Sequence, residues 1–306
     1  NALLDAQGDS ALLPRVDGRL AFTTDGFVVK PIFFPGGDIG GIAVNGTVND
    51  LAVAGALPRW LSASFVIEEG FAVADLRCVA ASMAEAADRA GVAIVTGDTK
   101  VVERGHGDGV YVTTAGIGRL RDDAPEGARA VRPGDAILVS GPIADHGATI
   151  AALRSGLDPE EGIASDCGPV IDLVDSLYAA GVRPRFLRDP TRGGLATVLS
   201  ELAKEAGVVA VIREVDVPVR PGVRGVCDIL GLDPLYLACE GRLVAVVAPD
   251  LADAALAALR SRPEGALAAI VGEIEPAGMG PVVLATRYGG RRLYDTLAAD
   301  PLPRIC

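Results

Sequence analysis

The sequence has 306 residues, a net charge of -12 and 50% hydrophobic residues. This length predicts roughly two domains, and the apolar content is enough to give each a buried core. The negative charge argues against a nucleic-acid-binding surface, since phosphate contacts need clustered Lys and Arg. No apolar stretch reaches the ~20 residues needed to cross a bilayer, and no charged-then-apolar leader opens the sequence, so we expect no membrane contact and a cytoplasmic protein.

The first half of the sequence alternates between strand and helix patterns. β-branched and apolar runs predict strands at 20–24, 28–29, 61–67, 92–95 and 110–118. Helical patterns predict helices from Ile39 to Ala54 and from Asp75 to Ala90, the second ending at Gly91. Residues 122–134 are polar and contain Pro125 and Pro133, so we interpret them as a linker between a first domain, 1–121, and a second domain, 135–293.

The second half repeats this mixture of elements. Strands are predicted at 136–140, 208–213, 243–248 and 270–273. Helices are predicted at 147–155, 169–180, 194–206 and 251–260. Both halves are therefore expected to be α+β or α/β.

The last segment, 294–306, carries Cys306 after Pro301 and Pro303. Because proline can neither continue a helix nor pair regularly in a sheet, this segment is predicted to be a mobile arm carrying a thiol. Taken alone, a chance cysteine explains the residue as well. The other cysteines are widely spaced and form no Cys-x-x-Cys pair, so we expect reduced structural thiols rather than disulfides or a zinc site.

Acidic residues next to glycines carry most of the candidate chemistry. The motifs contain Asp25, Asn49 with Asp50, Asp98 with Thr99, and Asp189 with Arg192. Each Asp is predicted to lie at the end of a helix or strand. Carboxylates placed in this way suit a magnesium ion bound to a nucleotide, because magnesium bridges protein carboxylates to substrate phosphates. A turn or a helix cap is the alternative for each Asp taken singly.

Two further residues are candidates for proton transfer. Lys100 is one of only three lysines and lies close to Asp98, and lysine, unlike arginine, can be tuned to act in acid/base work or to bind phosphate. Glu240 follows Cys239 just before a predicted strand, where a carboxylate can face a cleft. A surface lysine and a solvated turn are the alternatives. The two histidines, His106 and His146, lie in glycine-rich segments without nearby metal ligands, and we assign them no catalytic role.

Seven motifs together resemble a known family. They are Phe22–Asp25, Pro31–Gly37, Asn49–Asp50, Ile94–Val102, Ser165–Cys167, Arg188–Gly194 and Pro303–Cys306. Across nearly the whole sequence, they are similar to the HypE family of hydrogenase maturation proteins, within the aminoimidazole-ribonucleotide-synthetase-like (PurM-like) superfamily. The aspartate motifs are shared by the superfamily, whereas the final cysteine is particular to this family.

The resemblance implies an ATP-dependent dehydration. A partner, HypF, would place a carboxamide on the sulfur of Cys306, and the arm would fold into its own active site. There the carboxamide would become a thiocyanate, which passes to a HypC–HypD complex as the source of a cyanide ligand. The resemblance implies that Asp25, Asp50 and Asp98 hold Mg²⁺ and ATP. It also implies that Asn49, Thr99, Asp189 and Arg192 line the same cleft, and that Lys100 or Glu240 takes the proton from the carboxamide nitrogen.

The same resemblance implies a two-domain PurM-like α+β fold, with ATP binding and dimerisation in the first domain. We therefore expect a homodimer formed through the sheet of that domain. Two alternatives remain open at this point. A related kinase or synthetase would act on a free small molecule and would not need Cys306, whereas a passive carrier would only ferry a group on its thiol.

Overall fold

The computed structural model describes residues 2–5, 10–157, 163–297 and 302–306. The elements of the first half are α1 (Ala2–Asp5), β1 (Leu20–Phe27), β2 (Phe33–Phe34), β3 (Gly37–Asp38), α2 (Ile39–Val53), β4 (Ala56–Glu68), α3 (Val73–Ala90), β5 (Ala93–Val102) and β6 (Val110–Leu120). The predicted helices and longer strands of this half are present, with bounds that move by up to five residues, except that β5 extends seven residues beyond its predicted end. The short strand predicted at 28–29 is not formed.

A four-stranded sheet in the order β1-β6-β4-β5 forms the first domain. Only the β4–β5 pair is parallel, because α3 connects these two strands and returns the chain to the same end of the sheet. One face of the sheet is covered by α2 and α3, with Leu61, Ala63 and Val112 buried beneath them. The opposite, uncovered face is largely exposed among the described residues, with Phe22 and Asp98 accessible to solvent.

Helix α2 begins at a capped turn. The Asp38 side chain accepts a hydrogen bond from Gly41 N–H at 2.9 Å, which satisfies one of the unpaired donors of the first turn. Before it, Gly36 has φ of +90°, and a Cβ there would lie 2.4 Å from the Ser165 carbonyl oxygen. The glycine-rich segment is therefore a tight, capped turn that packs against the second domain.

The second half contains β7 (Ala136–Val139), α4 (Asp145–Arg154), α5 (Ile171–Ala179), β8 (Phe186–Arg188), α6 (Gly194–Ala206), β9 (Val208–Arg213), α7 (Pro221–Leu230), β10 (Val244–Val247), α8 (Ala252–Arg260), β11 (Ala269–Pro276), β12 (Val282–Ala285) and β13 (Arg291–Tyr294). Its sheet has seven strands in the order β13-β12-β9-β11-β7-β10-β8. The strands β8, β12 and β13 and the helix α7 are absent from the sequence-based prediction.

The two domains share an extensive interface built on α2. This helix is buried along nearly its whole length, and Ala52 and Val53 at its end pack in the core cluster of α5 and α8. The predicted linker is partly integrated into the second domain, since Ala128 and Val131 are buried in its main core. No helix in the described part of the chain is long and apolar enough to span a membrane.

The tail returns to the first domain. Its beginning is fixed to α6, because the Asp295 carboxylate accepts hydrogen bonds from Ser200, at 2.8 Å, and from Lys204. Its last residues lie against the interface, where Ile305 is 3% exposed. The structure thus presents the predicted arm in a docked position, and its mobility stays a prediction.

Candidate active site

The aspartates of three motifs meet where α2, β1 and the segment before α6 converge. Asp50 lies near the end of α2 and accepts a hydrogen bond from Thr23 Oγ1 at 2.8 Å. Burial raises the pKa of Asp50, and burial together with the charge of Asp50 raises the pKa of Asp25. Asp189 is almost fully buried beside both, which raises its pKa to about 7. The site therefore concentrates negative charge in a poorly solvated cleft.

Such a cluster fits a divalent cation. Carboxylates that repel one another in a buried cleft are stabilised when a cation lies between them. Among the described residues, no group of three or more acidic, histidine or cysteine side chains is arranged to hold a metal ion. The arrangement suits magnesium, which keeps several water or phosphate ligands and binds through only one or two protein carboxylates.

The structure corrects the predicted location of Asp98, which lies in the middle of β5 rather than at the end of a strand. Asp25 lies in the last three residues of β1, Asp50 in the last turn of α2 and Asp189 directly after β8, so these three lie at or near element ends. The sequence pattern places the end of the strand before Gly97, but this glycine lies within β5. Here it allows close approach, since a Cβ would lie 2.3 Å from the Ala63 carbonyl oxygen.

Asp98 and Lys100 do not join the other carboxylates within one chain. The register pairs Asp98 with Ser64 and Lys100 with Val66, and both pairs lie on the uncovered face of the sheet. Lys100 Nζ lies 2.8 Å from Asp98 Oδ2, and this hydrogen bond lowers the pKa of Asp98. Thr99 is exposed, and its N–H donates to Asp98 Oδ1. The side chains of Asp98 and Lys100 therefore form a separate group, whereas the Thr99 side chain points to the other face of the sheet.

Asn49 joins the domains instead of facing an open cleft. Its Nδ2 donates to the carbonyl oxygens of Gly168, at 3.1 Å, and of Glu240, at 3.3 Å. Its Oδ1 accepts from Val170 N–H at 2.8 Å. The side chain is 1% exposed, so these bonds hold the loop around Glu240 against α2 without competition from water.

We predict that Asn49→Ala lowers the free energy of unfolding by about 2–4 kcal/mol, because three buried backbone groups lose their partner. Chemical denaturation measures this change. Asn45→Ala on the same helix is the matched control with a smaller expected loss, since Asn45 only donates to the Cys167 thiol and its Oδ1 has no hydrogen-bond partner in the described structure. Equal losses in the two variants would contradict the assignment.

Glu240 is a buried acid held over the cleft. The Asp166 carboxylate accepts from the N–H groups of Glu240, at 3.0 Å, and Gly241, at 3.2 Å, which fixes the turn before β10. The Glu240 side chain is 3% exposed, and its Oε1 has no hydrogen-bond partner within the described residues. Burial, with the charges of Asp166 and Asp189, raises the pKa of Glu240 well above its usual range. A protonatable group in this state is a candidate for proton transfer.

The tail brings Cys306 to this acid. Burial raises the pKa of the Cys306 thiol to about 12, and the Glu240 charge contributes to this shift. Arg192 hydrogen bonds to the thiol and opposes the shift. Arg192 thus contacts Cys306, and Glu240 and Asp25 lie close enough for their charges to affect its pKa, whereas Lys100 lies elsewhere.

The sequence pattern does not identify His146 as a neighbour of the docked tail. His146 was assigned no role and was expected in a glycine-rich turn, but it lies in the first turn of α4 and is completely buried. Its Nε2 lies 2.7 Å from the carbonyl oxygen of Ile305. A lone histidine between Asp145 and Gly147 gave no distinguishing signal, because only the docked tail makes it part of the site.

We predict that Asp189→Asn makes the protein more stable at pH 8, by roughly 2–4 kcal/mol at most. The pKa of Asp189 is raised from 3.8 to about 7, so the folded protein keeps a proton that the unfolded chain has lost. The free energy of unfolding therefore falls as pH rises from about 4 to about 7. The substitution should reduce this slope in denaturation experiments at several pH values. Asp228→Asn, at an exposed position on α7, should leave the slope unchanged.

Comparisons with known proteins give the family. The sequence profile of the AIR synthase related protein N-terminal domain matches residues 7–120, and that of the C-terminal domain matches residues 132–284. Carbamoyl dehydratase HypE of Rhodobacter capsulatus is 55% identical over 296 residues, covering 97% of this chain and 87% of that protein. The chain belongs to the HypE family of hydrogenase maturation proteins. The family and the two-domain PurM-like α+β fold predicted from the sequence are thus confirmed.

Two solved structures of HypE add to this comparison. HypE in complex with ATP superposes with a TM-score of 0.96 at 48% identity, covering 100% of this chain and 92% of that chain. HypE from a HypE–HypF complex superposes with a TM-score of 0.87 at 45% identity, covering 97% of this chain and 96% of that one. The name carbamoyl dehydratase, carried by several relatives, agrees with the prediction that this chain is an enzyme.

Proposed function

We propose that this chain is an ATP-dependent carbamoyl dehydratase that converts an S-carboxamide on its own Cys306 into an S-cyanate. The observation that carries the proposal is the docked tail, which places the Cys306 thiol beside Glu240 and Arg192 in a cleft lined by Asp25 and Asp50. A relative whose structure contains ATP and relatives named carbamoyl dehydratase support it.

The net reaction consumes one carboxamide and one ATP and yields one thiocyanate, ADP and phosphate. The carboxamide oxygen is a poor leaving group, so its phosphorylation at the expense of ATP makes loss of phosphate possible. The nitrogen gives up both of its protons: we assign Glu240 as the base that removes one of them, and the other leaves with the departing phosphate. Its raised pKa makes the carboxylate a stronger base than an exposed glutamate.

The other residues hold and orient the reacting groups. Arg192 contacts the Cys306 sulfur and is placed to orient the carboxamide. Asp25 and Asp50 would hold magnesium, which neutralises phosphate charge during the transfer. Asp189 lies behind them and adds negative charge that favours a cation. Burial of the tail excludes water from the cysteine.

The partners follow from the reaction. HypF would supply the carboxamide, in agreement with the HypE–HypF complex solved for a relative. A HypC–HypD complex would accept the cyanide for the iron of a nickel-iron hydrogenase. The net charge of -12 and the absence of a spanning helix in the described part of the chain fit an enzyme that works with protein partners, and we propose that it does so in the cytoplasm.

We further propose a homodimer formed through the uncovered face of the first sheet. Large apolar side chains lie on that face: Leu20, Phe22, Trp60 and Ile117. Phe22 is 69% exposed, which is unfavourable in water and is relieved when a second copy covers the face. Asp98 and Lys100 lie on the same face, so a dimer would place their separate group at the interface.

The experiment that tests the function is the intact mass of protein carbamoylated on Cys306, before and after addition of magnesium and ATP. We expect the loss of one water, and no such loss with Asp25→Asn or without ATP. Cys306→Ser has no thiol at this position to be carbamoylated, so this variant should never acquire the carboxamide. A carboxamide that survives ATP would indicate a passive carrier. ATP turnover on an added small molecule by Cys306→Ser would indicate a related kinase.

A further inference from the structure

His146 is a buried group with no part in the reaction proposed above. Its Nδ1 lies 2.8 Å from Ser165 Oγ, and that oxygen accepts a hydrogen bond from Cys167 N–H at 3.1 Å. Because the Ile305 carbonyl oxygen beside Nε2 can only accept, the proton of the neutral ring lies on Nε2, and the Ser165 hydroxyl donates to Nδ1. The Nε2–H group points to the carbonyl oxygen of Ile305, 2.7 Å away. The ring is also oriented by Phe34, at a centroid distance of 5.4 Å.

The body of the protein binds the tail through its backbone. Four successive tail carbonyls accept hydrogen bonds, from Arg154 at Pro303 and Arg304, from His146 at Ile305, and from Val28 N–H at Cys306. The Arg154 bonds are exposed to solvent, whereas the His146 bond is fully buried. Loss of a buried partner is more costly, because water cannot replace it.

The backbone contacts that hold the tail do not involve the Cys306 sulfur. Ile305 is buried in a cluster with residues of both domains, including Val29 of the first and Ala238 of the second, so its side chain anchors the tail. Neither this anchor nor the four backbone bonds uses the Cys306 side chain. These backbone bonds therefore do not depend on the chemical state of the sulfur, which contacts Arg192.

We propose that His146 is a positioning residue for the dehydration. By binding the Ile305 carbonyl, one residue before the cysteine, it sets the depth and direction at which the Cys306 sulfur and its carboxamide enter the site. This inference rests on the proposed function. The alternative is a histidine that only joins α4 to the Ser165 loop and contributes to stability alone.

The test uses two variants of the full chain. His146→Phe keeps a planar ring against Phe34 but has no donor, whereas His146→Gln can present an amide N–H in place of Nε2–H. Two rates are measured: alkylation of Cys306 by iodoacetamide without ATP, located by mass spectrometry in a Cys78→Ser background, and dehydration of the carbamoylated protein at saturating ATP. Cys78 is exposed on α3, outside the site.

We expect His146→Phe to raise the alkylation rate about tenfold and to lower the dehydration rate about tenfold, with KM for ATP unchanged. His146→Gln should recover part of both effects. His106→Phe, at the exposed histidine, should change neither. Ile305→Ala should shift both rates in the same direction as His146→Phe. Because this substitution changes only the tail, its effect does not depend on the stability of α4.

Three results overturn the proposal: parental rates in His146→Phe, slower dehydration without faster alkylation, or no recovery by glutamine in a protein of parental stability. If the parent protein itself fails to dehydrate its carboxamide, the proposed function is wrong. In that case the alkylation rate still shows whether His146 holds the tail. Failure of the proposed function and failure of the inference about His146 are therefore distinguishable.

Discussion

Glu240→Gln is expected to lower the single-turnover dehydration rate at least 100-fold, the range typical for loss of a general base. The amide has the shape of the carboxylic acid but cannot accept the carboxamide proton. The rate is measured by the mass of the carbamoylated protein after mixing with magnesium and ATP. ATP binding should persist, because Glu240 is not among the carboxylates assigned to magnesium.

The free energy of unfolding distinguishes a catalytic effect of Glu240→Gln from damage to the fold. Glu240 is buried with an unpaired Oε1 and a raised pKa, so removing its charge is expected to leave the free energy of unfolding unchanged or higher at pH 8. Glu273→Gln, at an exposed position of β11, is the matched control and should behave as the parent does. A stable Glu240→Gln protein that dehydrates at the parental rate would show that another group is the base.

Mixed dimers are expected to regain activity when each subunit carries a different inactivating substitution. Lys100 lies on the uncovered sheet face, apart from the Cys306 site of its own chain. If Lys100 takes part in proton transfer, as the family resemblance implies, it must therefore serve the site of the other subunit in a dimer formed through that face. Lys100→Ala and Glu240→Gln homodimers should both be inactive, yet a heterodimer would contain one complete site.

Co-expression of the two variants with different affinity tags allows the heterodimer to be purified and assayed. About half of the parental activity per heterodimer is expected, because one of two sites is complete. Phe22→Asp in both chains places charges on the apolar face, and it should abolish both dimerisation and complementation. An inactive heterodimer that sediments as a dimer would contradict the shared site, and Lys100 would then need another role.

Local patterns determined much of the architecture. Helix α2 was predicted from its apolar run after Asp38, and the structure shows that cap in place. Helix α6 and strand β9 occupy the predicted ranges. Strands β8 and β13 were missed because they are short and contain arginine, whereas the equally short β7 and β10 are uninterrupted apolar runs. Helix α7 was missed because Gly222 and Gly225 interrupt its helical pattern.

Residue type and motif order were enough to indicate the family and the reacting groups, since carboxylates beside glycines and a final cysteine can be recognised along the chain. Location in space depended on the tertiary structure. The sheet register places Asp98 and Lys100 on one face and Asp25 on the other, because alternate residues of a strand point to opposite sides. His146 became part of the site only through burial against the docked tail. Such contacts join residues more than 150 positions apart, which no local pattern encodes.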